Sequence, residues 1–177
     1  PNGHLIVFSS AVVYANPDSE YGKRKRALEE FYTRYCAEHG IILTIFRPFN
    51  IFGPYQMPYR QGSLIANLMC NFLLERNTEI SDMDAKRDFM YVADIARFVE
   101  HVLMRKQSGV FDIGSGKLLR IRELIDYLDR NVIPIKGKII DRHHKEQTSD
   151  QPAKSTLSSY LPMVDFDEGL KMTLAFY

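Results

Sequence analysis

The chain has 177 residues, of which 45% are apolar and 25% are charged, and its formal net charge is +1. This composition is typical of a globular protein with one core, and its interspersed charges argue against a nucleic-acid or membrane-surface partner. Because no apolar run approaches transmembrane length and no signal peptide opens the chain, we expect a cytoplasmic protein in which Cys36 and Cys70 stay reduced.

The first predicted element is a buried strand over residues 4–10. An apolar run ends there in Ser9 and Ser10, and such a run is typical of a parallel strand with both faces covered. Open α/β sheets place their chemistry at the carboxyl ends of these strands. The two serines are therefore candidate site residues, although the same pair also occurs as simple turn hydroxyls.

A helix is predicted from about Glu20 to Glu38. Asp18 or Ser19 can cap its first turn, because both side chains accept hydrogen bonds from free backbone N–H groups. Gly40 supplies the stop, since glycine readily adopts the left-handed conformation that ends many helices.

Tyr21 and Lys25 stand four residues apart at the opening of this helix, so their side chains share one helical face. A cation beside a phenol favours the phenolate and lowers a pKa that is normally about 10. The pattern indicates a tyrosine that works as a general acid or base near neutral pH. The same spacing is common in surface pairs with no catalytic role, so the residues around it decide between the two interpretations.

A second buried strand is predicted over residues 41–46, and Pro48 is expected to stop its pairing. Residues 55–85 are then predicted to leave the main sheet. That stretch contains a helix over residues 64–74 and a short strand at 78–80.

Arg87 opens a further strand that alternates apolar and polar residues as far as Val92. Asp94 follows as a candidate cap of the next helix. Arg87 is a candidate anion ligand, because its planar guanidinium can bind a phosphate through two hydrogen bonds. The competing interpretation is a surface ion pair with Asp84 or Asp88.

The remaining predicted elements are a strand over residues 110–113, a turn over 114–116, a helix around 121–128, a strand at 139–140 and a last helix from Asp167. His143 and His144 do not indicate a metal site, because adjacent residues point in different directions and no partner stands at ligand spacing. We interpret them as part of a solvated loop.

Four short motifs follow one another along the chain: Ile-Val-Phe-Ser-Ser-Ala-Val-Val-Tyr at residues 6–14, Tyr21-Gly-x-x-Lys25, Arg-Pro-Phe-Asn-Ile-Phe-Gly-Pro at 47–54 and Arg-Asp-Phe-Met-Tyr-Val-Ala-Asp at 87–94. In this order they resemble the extended short-chain dehydrogenase/reductase superfamily and, more narrowly, its NAD-dependent nucleotide-sugar epimerases and dehydratases. The resemblance covers nearly the whole chain but only the carboxyl-terminal portion of the family. No Gly-x-x-Gly-x-x-Gly loop for the dinucleotide pyrophosphate is present, so we expect an inactive fragment of a longer enzyme.

The resemblance implies an α/β fold, namely the carboxyl-terminal part of a Rossmann-like doubly wound parallel sheet with a smaller α/β substrate-binding lobe. The amino-terminal half with the glycine loop would be absent. Residues 1–53 and 86–114 would be what remains of the NAD-binding domain. Residues 54–85 and 115–177 would form the lobe that binds the nucleotide sugar.

The resemblance also assigns roles to individual residues. Ser10 would hydrogen-bond the sugar hydroxyl or ketone that Tyr21 deprotonates or protonates, while Lys25 would tune Tyr21 and bind the nicotinamide ribose. The implied catalytic residues are therefore Ser10, Tyr21 and Lys25, the implied cofactor contacts are Tyr21, Lys25 and Pro48, and the implied substrate contacts are Ser10, Asn50, Arg87 and Asp150. Arg87 would contact the substrate diphosphate.

The chain departs from the family at two places. Its loop over residues 15–20 is shorter than usual, and Ala15 stands where a glycine is common. Asp82 and Asp84 stand where glycines are common before Arg87, and their charges would weaken anion binding unless they point away.

The activity implied is that of a nucleotide-sugar epimerase of the UDP-glucose 4-epimerase type, with transient hydride transfer to tightly bound NAD rather than NADP. Dehydratases of the family carry acidic residues after the catalytic hydroxyl, whereas Ser10 is followed by Ala11 and Val12. An NAD(P)-dependent reductase stays open, and so does a cofactor-free noncatalytic interaction module. Relatives often dimerise through the Tyr21–Lys25 helix, so a homodimer is expected.

Overall fold

The computed structural model describes residues 3–60, 63–144, 152–153, 161 and 163–177. The strands are β1 (His4–Phe8), β2 (Ile42–Pro48), β3 (Asn50–Phe52), β4 (Thr78–Ile80), β5 (Lys86–Tyr91), β6 (Gly109–Ile113), β7 (Leu118–Arg120) and β8 (Ile139–Asp141). The helices are α1 (Val12–Ala15), α2 (Glu20–His39), α3 (Leu64–Leu73), α4 (Val92–Arg105), α5 (Ile121–Asn131) and α6 (Phe166–Phe176).

The main sheet is parallel and has the strand order β1–β2–β6. Its register pairs Phe8 with Phe46 and Pro48 with Ile113, so the carboxyl ends of all three strands lie at one edge. The predicted α/β class with a parallel sheet is confirmed. The two predicted buried strands at the start of the chain, β1 and β2, are neighbours in this sheet.

Helices α2 and α4 cover opposite faces of the main sheet. Phe46 of β2 is fully buried against Phe98 and Val102 of α4. The next residue, Arg47, is hydrogen-bonded to Glu29 of α2. Because successive side chains of a strand point to opposite faces, α2 and α4 must lie on opposite sides of β2.

Local capping sets the limits of α2, and the predicted helix is confirmed. Ser19 Oγ accepts a hydrogen bond from Gly22 N at 3.0 Å, so Ser19 is the N-cap. Gly40 follows the helix with φ of 63°, the left-handed conformation, and its N–H donates to Cys36 O. Gly22 has no room for a side chain, because a Cβ would lie 2.4 Å from Asn16 O.

A second sheet continues directly from the first. β2 ends at Pro48 and β3 begins at Asn50, so the chain crosses from one sheet to the other at Phe49. In this second sheet β3 pairs in parallel with β5, which pairs in antiparallel with β7; β4 and β8 form a separate, two-stranded parallel sheet. The second sheet packs against α3, α5 and α6 through an apolar core that includes Phe52, Leu68, Met69, Phe72, Leu124, Leu128 and Leu170.

Pairing of β2 ends at Pro48, as predicted, although the strand extends beyond the predicted residues 41–46 and includes the proline itself. Pro48 is the last residue of the strand and pairs with Ile113. A proline lacks an N–H donor, but its carbonyl can still accept a hydrogen bond. Ala11 N donates to Pro48 O at 3.2 Å, so pairing extends through the proline on its acceptor side.

Asp94 is not the cap of α4, which corrects the prediction made for it. The helix begins at Val92 with Tyr91 as N-cap, so Asp94 lies within its first turn. The buried Asp94 carboxylate accepts hydrogen bonds from Val164 N, at 3.1 and 3.2 Å to its two oxygens, and from Arg97 Nη1 at 3.1 Å. Burial raises the pKa of Asp94, and these contacts lower it only in part. Asp94 thus ties α4 to the segment before α6.

Other predictions concern thiols, membrane spans and domains. Cys36 and Cys70 are both free, and burial raises the pKa of both thiols.

Within the described ranges, no helix combines the length and the apolar character that crossing a bilayer requires. The division into residues 1–53 and 86–114 against residues 54–85 and 115–177 stays a prediction.

Candidate active site

Tyr21 and Lys25 lie together at the start of α2. Lys25 Nζ is 5.8 Å from the centroid of the Tyr21 ring, and it donates a hydrogen bond to Phe8 O at 2.8 Å. The Tyr21 side chain is 52% exposed, so its hydroxyl can reach a bound molecule. The backbone carbonyl at the end of β1 therefore holds the ammonium beside the phenol.

A cleft of about 250 Å³ opens at the carboxyl edge of the main sheet. It is lined by Ser10, Ala11, Val12, Ala15, Asn16, Pro48, Phe49, Asn50, Lys86, Arg87 and Asp88. The structure thus brings together four predicted site residues: Ser10, Pro48, Asn50 and Arg87. Tyr21 and Lys25 are not part of this lining and stand on the neighbouring helix.

Ser10 lies just beyond the end of β1, which stops at Phe8, two residues earlier than predicted. Backbone contact with β2 nevertheless continues, because Ser9 N donates to Phe46 O at 2.7 Å. Ser10 Oγ accepts a hydrogen bond from Val12 N at 3.3 Å. Since this contact uses the oxygen as acceptor, the hydroxyl hydrogen of Ser10 can be donated into the cleft.

Asn50 and Arg87 lie on β3 and β5 of the second sheet. Asn50 Nδ2 donates to Asp88 O at 3.1 Å, which fixes the Asn50 amide at the cleft. Asp84, one of the acidic residues expected to interfere with Arg87, lies 3.6 Å from Arg122 Nε. Its side chain therefore belongs to an exposed ion pair with α5, and the anion-binding role of Arg87 stays a prediction.

Asp88 is a buried anchor, and its position in the sequence indicated only a possible ion pair with Arg87. Its side chain is 1% exposed. Oδ1 accepts from Ser115 N and Ser115 Oγ, both at 2.7 Å, and Oδ2 accepts from Gly116 N at 3.0 Å and Ala153 N at 2.9 Å. One carboxylate thus joins β5 to the turn after β6 and to residues 152–153.

The glycine-rich turn at residues 114–116 was the available signal for this role of Asp88. A Cβ on Gly114 would lie 2.8 Å from Asp88 Oδ2 and 2.5 Å from Ala153 Cβ. The turn therefore needs glycine at Gly114, because the carboxylate and the backbone approach each other so closely. The sequence shows the glycines but not what approaches them.

Glu29 of α2 and Arg47 of β2 form an ion pair next to the site. No sequence motif predicted this contact. Arg47 Nε donates to Glu29 Oε1 at 2.9 Å and Arg47 Nη2 donates to Glu29 Oε2 at 2.6 Å. Burial is the largest single influence on the pKa of Glu29 and raises it, but the hydrogen bonds from Arg47 and Ser9 and the charges of Arg47 and Arg26 together outweigh burial and hold the pKa below its usual value. The same contact raises the pKa of Arg47.

Tyr14 lies between the Glu29–Arg47 ion pair and Phe49 of the cleft lining. The guanidinium carbon of Arg47 is 6.0 Å from the Tyr14 ring centroid, and the Phe49 ring is 6.3 Å away. Burial raises the pKa of Tyr14, and the charge and hydrogen bond of Asp112 raise it further. Tyr14 therefore keeps its proton at neutral pH.

The remaining features near the site are a second cavity, the arrangement of potential metal ligands and the position of Asp150. A second cavity of about 430 Å³ has a mainly apolar lining from β5, β7 and residues 163–166, and none of the predicted site residues lines it. Among the described residues, no three His, Cys, Asp or Glu side chains form a group that could hold a metal ion. Asp150, a predicted substrate contact, lies outside the described residues.

The model of the NAD dependent epimerase/dehydratase family matches residues 6–114, which include every predicted site residue except Asp150. The chain belongs to this family. The family predicted from the four motifs is thereby confirmed. A curated protein of Methanocaldococcus jannaschii, named "Putative UDP-glucose 4-epimerase", is 28% identical over 161 residues, which are 88% of this chain and 52% of that protein.

Solved structures of epimerases share the fold. A UDP-glucose 4-epimerase of Thermotoga maritima with UDP-glucose matches with a TM-score of 0.83 at 22% identity and covers 98% of this chain and 62% of that one. A UDP-glucose 4-epimerase of Thermus thermophilus in complex with NAD matches with a TM-score of 0.80 at 20% identity, covering 98% and 63%. The Rossmann-like fold is confirmed, and the chain spans about half to two thirds of the length of these relatives.

Asp88→Asn should lower the free energy of unfolding by about 2–4 kcal/mol, because the new amide group would face backbone N–H donors and leave some of them unsatisfied. Urea denaturation measures this change. Asp84→Asn is the matched control, since its side chain is 67% exposed, and should change stability by less than about 1 kcal/mol. Equal effects of the two substitutions would contradict the anchoring role of Asp88.

Glu29→Gln should destabilise the protein by about 2–3 kcal/mol at neutral pH, because it leaves the half-buried Arg47 charge without its partner. The folded-state pKa of Glu29 lies below the unfolded value, so the contribution is complete above about pH 5 and is lost as pH falls through the folded-state pKa. Urea unfolding at a series of pH values tests this. The exposed Glu30→Gln serves as control, and a difference between wild type and Glu29→Gln that grew toward acid pH would refute the assignment.

Proposed function

We propose that the protein to which these residues belong is a nucleotide-sugar epimerase that uses a nicotinamide dinucleotide. The observation that supports this most is the Tyr21–Lys25 pair on α2 beside the cleft that holds Ser10. A phenol, an ammonium and a hydroxyl at the carboxyl edge of a parallel sheet suit reversible proton transfer at a sugar carbon that also exchanges hydride.

The residues of the chain handle the proton in this proposal. Tyr21 Oη accepts the proton of a sugar hydroxyl while the carbon that bears this hydroxyl is oxidised to a ketone. The Lys25 ammonium lies beside the Tyr21 ring, and its positive charge suits a proton transfer at Tyr21 Oη. Ser10 Oγ donates a hydrogen bond to the sugar oxygen as it becomes a carbonyl oxygen. In an epimerase Tyr21 then returns the proton to the same oxygen when the carbon is reduced on its other face.

The residues present fit the nicotinamide end of a dinucleotide. The Tyr21 hydroxyl and the Lys25 ammonium supply hydrogen bonds suited to ribose hydroxyls, and Pro48 lies at the adjoining edge of β2. When bound, the cofactor supplies the hydride acceptor. The pyrophosphate loop of the family is not among these 177 residues, so the proposal covers only Tyr21, Lys25 and Pro48, with NAD preferred to NADP.

The cleft suits an anionic, hydroxyl-rich substrate. Lys86 and Arg87 bring two positive charges to its lining, and Asn50 and Ser10 bring an amide and a hydroxyl. We assign Arg87 and Asn50 to the diphosphate region of the nucleotide sugar and Ser10 to the reacting sugar. Guanidinium binds phosphate oxygens through paired hydrogen bonds, and the half-buried position of Arg87 strengthens such a contact.

Epimerisation is preferred to dehydration because of the residues that follow Ser10. Ala11 and Val12 line the cleft directly after it, and neither can act as the acid or base that elimination at a neighbouring carbon requires.

A ketoreductase would use the same three residues, Ser10, Tyr21 and Lys25, and would differ from an epimerase in releasing the cofactor after each turnover. A noncatalytic module is the alternative from another class.

A homodimer formed through α2 is a further part of the proposal. Phe31 and Tyr35 of this helix are 55% and 40% exposed, and their rings stack with centroids 6.1 Å apart. Exposed aromatic side chains on adjacent turns are typical of surfaces that a partner covers.

The cytoplasm is the proposed location, in line with the free thiols of Cys36 and Cys70.

Tyr21→Phe in the full-length protein should reduce epimer formation from a panel of UDP-, GDP- and dTDP-sugars by at least about 10²-fold, because the general acid–base group is lost. Epimer product and reduced nicotinamide are followed together. Tyr35→Phe on the same helix is the matched control and should retain wild-type turnover. Net oxidation or reduction would favour the ketoreductase, and a Tyr21→Phe protein as active as wild type would end the enzyme proposal.

Phe31→Glu should convert a dimer into a monomer, because a charge placed in an apolar contact loses its hydration. Sedimentation or light scattering gives the mass directly. Met104→Glu is the control, since Met104 is 80% exposed on α4, and should leave the dimer intact. A wild-type protein that stayed monomeric over a wide range of concentrations would remove α2 as the interface.

A further inference from the structure

Side-chain contacts hold α2 against the elements that surround the cleft. Lys25 Nζ donates to Phe8 O at 2.8 Å, and Arg26 Nη2 donates to Val13 O at 3.0 Å. These two contacts join α2 to β1 and to α1, both of which lie next to Ser10. The ion pair between Glu29 of α2 and Arg47 of β2 adds a third contact, one residue before Pro48 of the cleft lining.

The ion pair connects the two groups of site residues. Tyr21, Lys25 and Glu29 recur every four residues, so they follow one another along one face of α2. Arg47 directly precedes Pro48, which lines the cleft. The Glu29–Arg47 contact therefore sets how far the Tyr21–Lys25 pair stands from the wall that carries Pro48.

The geometry of the pair permits one arrangement. Two parallel hydrogen bonds of 2.9 and 2.6 Å join the planar guanidinium to both carboxylate oxygens, and the Glu29 residue is only 8% exposed. A fork of this kind fixes distance and angle together. A largely buried pair gains little net stability from its attraction, because both charges lose hydration. Its main effect is then to fix a geometry.

Arg47 is also held from its other side. Asp112 of β6 is the register partner of Arg47, and the Tyr14 ring of α1 lies 6.0 Å from the guanidinium carbon. The Arg47 guanidinium thus bonds to Glu29 of α2 and lies near the Tyr14 ring of α1, while Asp112 of β6 stands beside Arg47 in the main sheet. Arg47 is therefore placed among three elements of the fold.

We infer that Glu29 and Arg47 are positioning residues of the active site, which fix the catalytic helix α2 at its working distance from the cleft wall at Pro48. The inference rests on the proposed function for its kinetic consequence. Neither side chain needs to touch the substrate or the cofactor. The pair acts through the placement of Tyr21 and Lys25.

Steady-state kinetics of the full-length protein with bound cofactor test the inference with Glu29→Gln, Arg47→Gln and the double variant. Each single substitution should lower kcat on the order of 10²-fold, since small misplacements of catalytic groups have such effects, while KM changes less than about threefold. The double variant should be no slower than either single variant, because one shared contact is lost only once. Glu20→Gln, whose pair with Lys23 is exposed on the same helix, should behave like wild type.

All variants are compared at a temperature where circular dichroism shows each of them fully folded. An unchanged kcat in the folded single variants would overturn the inference and leave the pair with a role in stability alone. Losses that multiply in the double variant would overturn it as well. If Tyr21→Phe proves fully active, the proposed function fails by itself, and crystal structures of wild type and Glu29→Gln then decide. A shift of α2 relative to Pro48 would sustain positioning, and an unmoved helix would refute it.

Discussion

Parallel pairing of β1, β2 and β6 is the constraint on which the candidate site depends. Parallel strands end at the same edge of a sheet, so Ser10 after β1 and Pro48 at the end of β2 are neighbours although 38 positions separate them in the numbering. The crossover helix that parallel pairing requires is α2. The same helix carries Tyr21 and Lys25, and the hydrogen bond from Lys25 to Phe8 O ties the helix to the end of β1.

Buried carboxylates hold the surrounding elements in place. Asp88 gathers backbone donors from two separate segments, Asp94 connects α4 with the segment before α6, and Glu29 connects α2 with β2. Each of these carboxylates would be costly to bury alone, and each is satisfied by several donors. A contact of this kind has a definite direction and partner, unlike apolar packing, so it can fix the geometry of a site.

Residues at the ends of the main sheet and of the second sheet line the cleft together. The main sheet supplies Ser10 and Pro48, while the second sheet supplies Asn50 and Arg87. Phe49 alone separates β2 from β3, so the two sheets are held at a short distance by the chain itself. Asn50 Nδ2 donates to the backbone carbonyl of Asp88, which joins β3 and β5 at the cleft.

The sequence by itself determined the family, the order of most helices and strands, and the residue types at the site. Apolar runs, the Ser19 cap and Gly40 act over a few residues, and four motifs in a fixed order carry the resemblance. Only the tertiary structure decided that Ser10, Pro48, Asn50 and Arg87 share one cleft and that Asp88, Glu29 and Arg47 are anchors. Those roles depend on partners far away in the chain, such as Ala153 for Asp88, and no local pattern records which distant donor a buried carboxylate will meet.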